Sequence, residues 1–273
     1  MDTNAHRSDY NGNRFTVPPD WDTVFTHFYY GENTGKTDIT KILLPDFKPL
    51  LVFNFGKPMQ IVGETEHVIT DVSVTSPLKR VVQYSMSPGS SLLVANFKDD
   101  AFYRFFGTAM PAGHLFMHPD KLINSKCFSL LHGQLKSFTE PEAKINYLLN
   151  YAKAFIADST GLFDDAPEAD YFNPIKVIAQ RSGLSERSIQ LQYKKQLGYS
   201  AKELTRFTRF QKVLASPALQ LSEGDKVNWF DVIETFGYYD QSHLIADFKY
   251  YIGLSPLNYI RLQQEFCNPP AQS

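Results

Sequence analysis

Cysteine is nearly absent: the 273 residues contain two, Cys127 and Cys267. They lie far apart and match no metal or redox spacing, so no disulfide framework is expected and each reads as a small buried or incidental side chain. Long apolar runs are missing as well. No stretch approaches the roughly 18 residues that span a bilayer. The first fourteen residues are polar, without the apolar centre of a secretory signal, so the expected location is the cytoplasm, away from membranes. Motifs that carry chemistry are equally thin. There is no Gly-x-Ser-x-Gly elbow, no phosphate-binding glycine loop and no dinucleotide fingerprint. The strand-rich part has no close His-x-His pair with a following Glu. His114 and His118 are four apart, but Pro111, Gly113 and Pro119 interrupt the helix that would place them on one face. The chain is therefore read as no enzyme, with no catalytic residue, no metal and no cofactor.

Charge of one sign is not in excess overall, since the net charge is −2. That average hides an asymmetry. Residues 172–262 hold 12 Lys and Arg against 8 Asp and Glu, whereas residues 1–171 hold 15 against 20. An acidic front and a mildly basic back suggest two domains with different partners. The excess at the back is too small to establish a polyanion binder by itself.

What is present is patterned. Residues 21–30, 41–45, 50–55, 60–62, 68–74, 80–84 and 91–97 are rich in aromatic and branched side chains. Pro, Gly, Asn or Asp punctuate them about every 8–12 residues, the spacing of a small β-barrel or sandwich. From about Asp100 the period changes. Residues 101–106, 128–138 and 140–157 carry apolar positions at helical spacing. In the last of these, Pro141 suits a first turn, and Ile145, Leu148, Leu149, Ala152, Phe155 and Ile156 form one stripe. Residues 159–170 combine Gly, Pro and an acidic cluster, as a linker does. The predicted fold class is α+β and multidomain: a β-rich domain with following helices over 1–158, a linker over 159–171 and an all-α domain over 172–273.

The back domain repeats itself. Residues 175–183 form a short amphipathic helix closed by Gly183; Ser185 then caps a helix over 186–197 that buries Ile189, Tyr193 and Leu197 and ends at Gly198. After a long helix over 202–215, residues 230–236 supply a second short helix and Gly237 the turn. Asp240 caps a helix carrying Leu244, Phe248 and Ile252, which Gly253 closes. Ser185 to Tyr193 and Asp240 to Phe248 are equal intervals, as are Tyr193 to Gly198 and Phe248 to Gly253. A short helix, a glycine turn and a second helix with a polar outer face make a helix-turn-helix, and its second helix fits a major groove.

These residues resemble the DNA-binding domain of the AraC/XylS family of bacterial regulators. The first copy matches at Ala179, Gly183, Ser185, Arg187, Tyr193 and Gly198. The second matches at Gly237, Asp240, Ser242, Phe248, Lys249, Gly253, Ser255 and Pro256, with Leu204 and Arg209 on the linking helix. The front resembles the N-terminal domain of one branch of these regulators in residues 44–46, 51–56 and 102–107. The resemblance implies two recognition helices, over 185–197 and 241–252, laid into adjacent major-groove segments of double-stranded DNA. It also implies RNA polymerase as a further partner where such a protein is an activator. The pattern is broken where Leu191 and Ala246 replace arginines, and where Ile233 replaces the small residue found at Ala179. Missing arginines cost phosphate or base contacts.

Candidate DNA contacts are Arg187, Ser188, Gln190, Leu191, Lys194 and Lys195 on the first recognition helix. On the second they are Gln241, Ser242, His243, Ile245 and Lys249. Arg187 suits guanine and Gln190 adenine. Arg209 is read either as a phosphate contact or as an ion-pair partner joining the two units. The aromatics of the front, among them Trp21, Phe25, Phe28, Tyr29, Tyr30, Phe47, Phe53, Phe55 and Tyr84, are expected mainly in its core. The surplus would line a cavity for a small-molecule effector. The front is further expected to join two chains as a homodimer, its 140–157 helix packing either across a two-fold axis or on its own barrel. The full dimer is then expected to bind DNA more tightly than an isolated back domain. Two other readings stay open: a barrel enzyme with an appended DNA-binding module, and an interaction adaptor with weakened DNA binding.

Overall fold

In the computed structural model the strand-rich front forms two antiparallel sheets packed face to face. The structure describes residues 9–111, 113–159, 162–163, 174–216, 219 and 227–267, the last six of these by backbone only. The strands are β1 (Tyr10–Phe15), β2 (Phe25–Asn33), β3 (Ile39–Leu43), β4 (Leu50–Phe55) and β5 (Met59–Val62). They continue with β6 (Glu66–Ile69), β7 (Val72–Thr75), β8 (Val82–Met86), β9 (Ser91–Phe97) and β10 (Phe116–Met117). One sheet runs β1-β2-β9-β4-β7-β10 and the other β3-β8-β5-β6.

Strands β4 and β9 are apolar almost throughout because both of their faces are covered. Leu50, Val52 and Leu92 point toward the four-stranded sheet. Leu51, Phe53, Leu93 and Ala95 point the other way, into a core roofed by helices. That roof is α1 (Ala101–Phe106), α2 (Pro119–Ile123), α3 (Cys127–Leu135) and α4 (Pro141–Ala152). The stripe Ile145, Leu148, Leu149 and Ala152 of α4 is buried in this core. Of the two placements open for the helix, these four residues cover its own sheet, while Phe155 of the same stripe stays exposed.

Several boundaries differ from the sequence expectation for local reasons. Residues 68–74 are two strands in different sheets, not one. The chain turns at Thr70 and Asp71, where Asp71 Oδ1 accepts the Val72 amide at 2.7 Å and the Thr70 hydroxyl at 3.1 Å, an arrangement that competes with a continuing ladder. The stretch 21–30 opens with a 3-10 turn over Pro19–Trp21, and its strand starts only at Phe25. Residues Tyr10–Phe15 form an edge strand that sequence reading passed over, since its middle residues are exposed on both faces and carry no apolar alternation. Helix α4 stops at Ala152, five residues short of the expected end, and α3 at Leu135.

The back consists of α5 (Pro174–Ser182), α6 (Glu186–Leu197), α7 (Ala201–Leu214), α8 (Trp229–Thr235), α9 (Gln241–Tyr251) and α10 (Pro256–Cys267). The expected linker lies mostly outside the described residues. Within it, Phe163 is buried and meets Tyr193 edge-on, with 5.4 Å between ring centroids. This part of the linker is therefore anchored in the core of the first unit.

Phe47 is the clearest departure. It belongs to the front in sequence, yet its ring is buried among Phe207, Phe210, Phe248 and Tyr251 of the back. It stacks on Phe207 at 4.2 Å and meets Tyr199 at 5.3 Å. Around it the two parts are joined by Val81 N–H donating to the Tyr251 carbonyl at 2.9 Å and by Lys79 paired with Glu203 at 2.6 Å. Arg80 also lies over the Tyr250 ring at 4.4 Å.

Candidate nucleic-acid interface

The two helix-turn-helix units are built alike. Gly183 closes α5 with φ 71° and Gly237 follows α8 with φ 65°; both are in the left-handed region that a Cβ disfavours. Each following helix is capped by a side chain. Ser185 Oγ accepts the Ser188 amide at 3.2 Å, and Asp240 Oδ1 accepts the His243 amide at 2.8 Å. Such caps satisfy amides that the helix itself leaves unpaired. The buried sides correspond position by position: Ile189 with Leu244, Tyr193 with Phe248, Leu197 with Ile252. Gly198 and Gly253 end the two units with the same φ of 78°.

With those faces inward, the opposite faces meet solvent. On α6, Arg187, Gln190, Leu191, Lys194 and Lys195 are exposed and Ser188 is half-buried. Leu191, at a position where the resemblance expects arginine, is 65% exposed, so its side chain is not part of the core. On α9, Gln241, Ser242, Ala246 and Lys249 are exposed, while His243 and Ile245 are half-buried. Ala179 is buried against its unit's second helix and Ile233, its counterpart, is only partly so.

Helix α7 joins the units. Its start is a capping box: Ser200 Oγ accepts the Glu203 amide at 3.2 Å and Glu203 Oε2 accepts the Ser200 amide at 2.8 Å. Its far half is tied to α9 through Asp247, a carboxylate with no exposed surface. Arg206 donates to it from Nε at 2.7 Å, and Tyr238 donates its hydroxyl at 2.9 Å. Burial opposes the charge on Arg206, but the facing carboxylate outweighs it and holds the guanidinium above its ordinary pKa. Burial and the same carboxylate push the Tyr238 phenol upward.

Arg209 joins this network. It lies 3.6 Å from Asp247, donates to the Gly237 carbonyl at 3.4 Å and covers the Tyr238 ring at 4.2 Å. Of the two roles open for it, this geometry supports the structural one. His243 is drawn into the same group, with Nε2 at 3.4 Å from Arg209 and its ring edge-on to Tyr238. One residue at this surface escaped sequence reading. Tyr239, directly before the cap Asp240, is 92% exposed, whereas its neighbour Tyr238 is buried. Both lie in the turn between α8 and α9, where no helical period applies, so the sequence held no signal that separates them.

The front domain holds a cavity of about 280 Å³ between its sheets. Its walls are apolar, including Leu50, Met59, Ile61 and Leu92, and polar groups enter from His27, Tyr29, Thr75, Tyr84 and Asn96. Burial, with Arg14 and Lys48 nearby, pushes the His27 imidazole down to about 4, so it is neutral at pH 7. Tyr10 Oη bridges Tyr29 Oη at 2.6 Å and Tyr84 Oη at 3.3 Å, joining β1 to both sheets. Among the described residues no three His, Cys, Asp or Glu side chains converge as a metal-holding group, and no helix is long and apolar enough to cross a membrane.

No curated protein sequence matches the chain. Among solved structures, ToxT from Vibrio cholerae is similar over 93% of this chain and 99% of its own, at 10% identity and a TM-score of 0.42. The AraC-like transcriptional activator CuxR is similar over 76% and 87%, at 10% identity and a TM-score of 0.26. Residues 221–261, which contain α8, the glycine turn and α9, match the family described as bacterial regulatory helix-turn-helix proteins, AraC family. With that match and the unit's geometry together, the C-terminal part of this chain carries an AraC-family helix-turn-helix domain.

Proposed function

We propose that this protein is a sequence-specific transcription regulator that reads double-stranded DNA with α6 and α9 in adjacent major-groove segments. The observation that carries this reading is the doubled unit. Two capped helices of equal design expose polar faces, and α7 with the Asp247 network sets one against the other. In this reading Arg187 and Gln190 of α6 and Gln241 and Ser242 of α9 face base edges, with Ser188 and Ile245 beside them. Lys194, Lys195 and Lys249 face phosphates, because bases specify and phosphates position. Tyr239 stands at the end of α9 that enters the groove and joins this set. Leu191 and Ala246 give apolar contact in place of an arginine's charge. Arg209 and His243 shape the surface from behind.

The front domain supplies control. Its cavity is mostly apolar with a few convergent polar groups, which is how small-molecule sites are built. The effector it suits is small and largely uncharged, since no Lys, Arg, Asp or Glu lines the walls. Joining two chains would add affinity by raising effective concentration, without new contacts. Selection of bound duplexes from a random pool tests the reading. Enrichment of one extended site supports it, and recovery of unenriched sequence removes it.

A further inference from the structure

One aliphatic side chain on α6 stands in a polar setting. Leu191, 65% exposed, lies on the face opposite Ile189, Tyr193 and Leu197, which are buried in the core of the first unit. Its neighbours one helical turn away are Arg187, Ser188, Lys194 and Lys195, all polar. A single exposed leucine is ordinary on a protein surface, so it is the place of this one that carries information. Leu191 follows the cap Ser185 at the same interval at which Ala246 follows the cap Asp240. Ala246 is exposed as well, with Ser242 and Lys249 exposed one turn to either side. Both helices thus carry an aliphatic group at the centre of the face turned away from the core.

A helix seated in the major groove turns that face toward the base edges. Every base pair offers hydrogen-bonding groups there, but only thymine adds a methyl group, at C5. A leucine side chain neither donates nor accepts. Against a polar base edge it displaces water without replacing the lost hydrogen bond. Against the thymine methyl it removes apolar surface from water on both partners. A phosphate gives it no comparable gain, which separates Leu191 from Lys194 and Lys195.

We propose that Leu191 is a specificity-determining residue, which reads the 5-methyl group of a thymine in the sub-site of α6. The proposal rests on the DNA-binding reading above and names the base at one position of it. An arginine at this place would pair with guanine or a phosphate; leucine exchanges that preference for thymine. Ala246 holds the matching place on α9 with a single methyl group, and it reaches less far. Dependence on a thymine methyl is therefore concentrated in the α6 sub-site.

The test uses the full wild-type chain and a duplex it selects from a random pool, with each thymine replaced singly by deoxyuridine. This change deletes the methyl group and keeps the base pairing and the hydrogen-bonding groups of the groove. One replacement in the α6 sub-site is expected to weaken binding about fourfold, the worth of one buried methyl-sized group. With Leu191→Ala the same replacement is expected to make no difference. Leu191→Arg should gain affinity for all duplexes through its charge and lose the difference as well. Leu191 lies outside the core, so neither substitution disturbs the fold. Equal binding of every uracil duplex by the wild-type chain overturns the proposal while DNA binding stands. So does a uracil penalty that Leu191→Ala leaves intact, because another residue then reads the methyl. Failure of the wild-type chain to bind any duplex above the non-specific level overturns the DNA-binding reading, and this proposal with it.

Discussion

Asp247, fully buried, pairs with Arg206, Nε and Nη2 of the arginine lying 2.7 and 2.6 Å from the same carboxylate oxygen, and this pair fixes α9 against α7. The Arg206 side chain is 38% exposed, so removing the carboxylate leaves a guanidinium that water reaches, and the cost lies below the roughly 3–5 kcal/mol of a fully buried pair. Asp247→Asn is therefore expected to lower stability by about 1–3 kcal/mol, the amide keeping part of the hydrogen bonding to Arg206 and Tyr238. Chemical denaturation of both proteins measures it, and a loss below about 1 kcal/mol, the size of an exposed pair, would show that water reaches the carboxylate.

The caps make a smaller and more local claim. Ser185→Ala and Asp240→Ala should each cost about 1 kcal/mol, because each exposes one amide at the start of a recognition helix. Hydrogen exchange should show the loss in the first turn of α6 or α9 and not in the front sheets. Uniform deprotection across the chain would contradict the assignment.

Stability should also depend on pH through the histidines. Burial depresses the imidazole of His27 to about 4, and those of His67 and His132 lie below the ordinary 6.5. A depressed folded value means that the unfolded chain takes up protons first. This stability is complete above pH 6.5 and is lost as pH falls toward 4. The melting temperature is expected to fall between pH 7 and pH 5, and His27→Gln to reduce the slope without abolishing it. An unchanged slope in the variant would place His27 in water in the folded protein.

Contacts to DNA should separate by type. Arg187→Ala is expected to cost about 1–3 kcal/mol and to relax preference at one base pair. Lys194→Ala and Lys249→Ala should weaken all sequences alike and lower the salt slope by about one unit each. Leu191→Arg should strengthen binding, since that position is exposed. Arg187→Ala behaving as the lysine variants do would make Arg187 a phosphate contact.

Most of the back domain was legible because its signals are local. Gly183, Gly198, Gly237 and Gly253 mark turns by conformation alone, and Ser185 and Asp240 cap helices within three residues of themselves. The strands β4 and β9 were legible for a similar reason, as apolar runs bounded by turn residues. Phe47 was not, because its burial depends on Phe207 and Tyr251, a surface that forms only when the two parts meet. The same holds for Arg209. Its position on the linking helix was plain, but its choice between phosphate and Asp247 is made by the fold of α9 around it. Edge strand β1 escaped because its middle residues, Asn11, Gly12, Asn13 and Arg14, face solvent and carry no apolar alternation.

Selection of bound sequences from a random duplex pool by the full chain, with affinity for the winner measured across salt, tests the doubled DNA-reading unit most directly. Two recognition helices on one face of the duplex require an enriched site with two sub-sites about 10 base pairs apart, each weakened by changes in its own helix. Enrichment of a single short sub-site, or binding that falls with salt and shows no sequence preference, would contradict it.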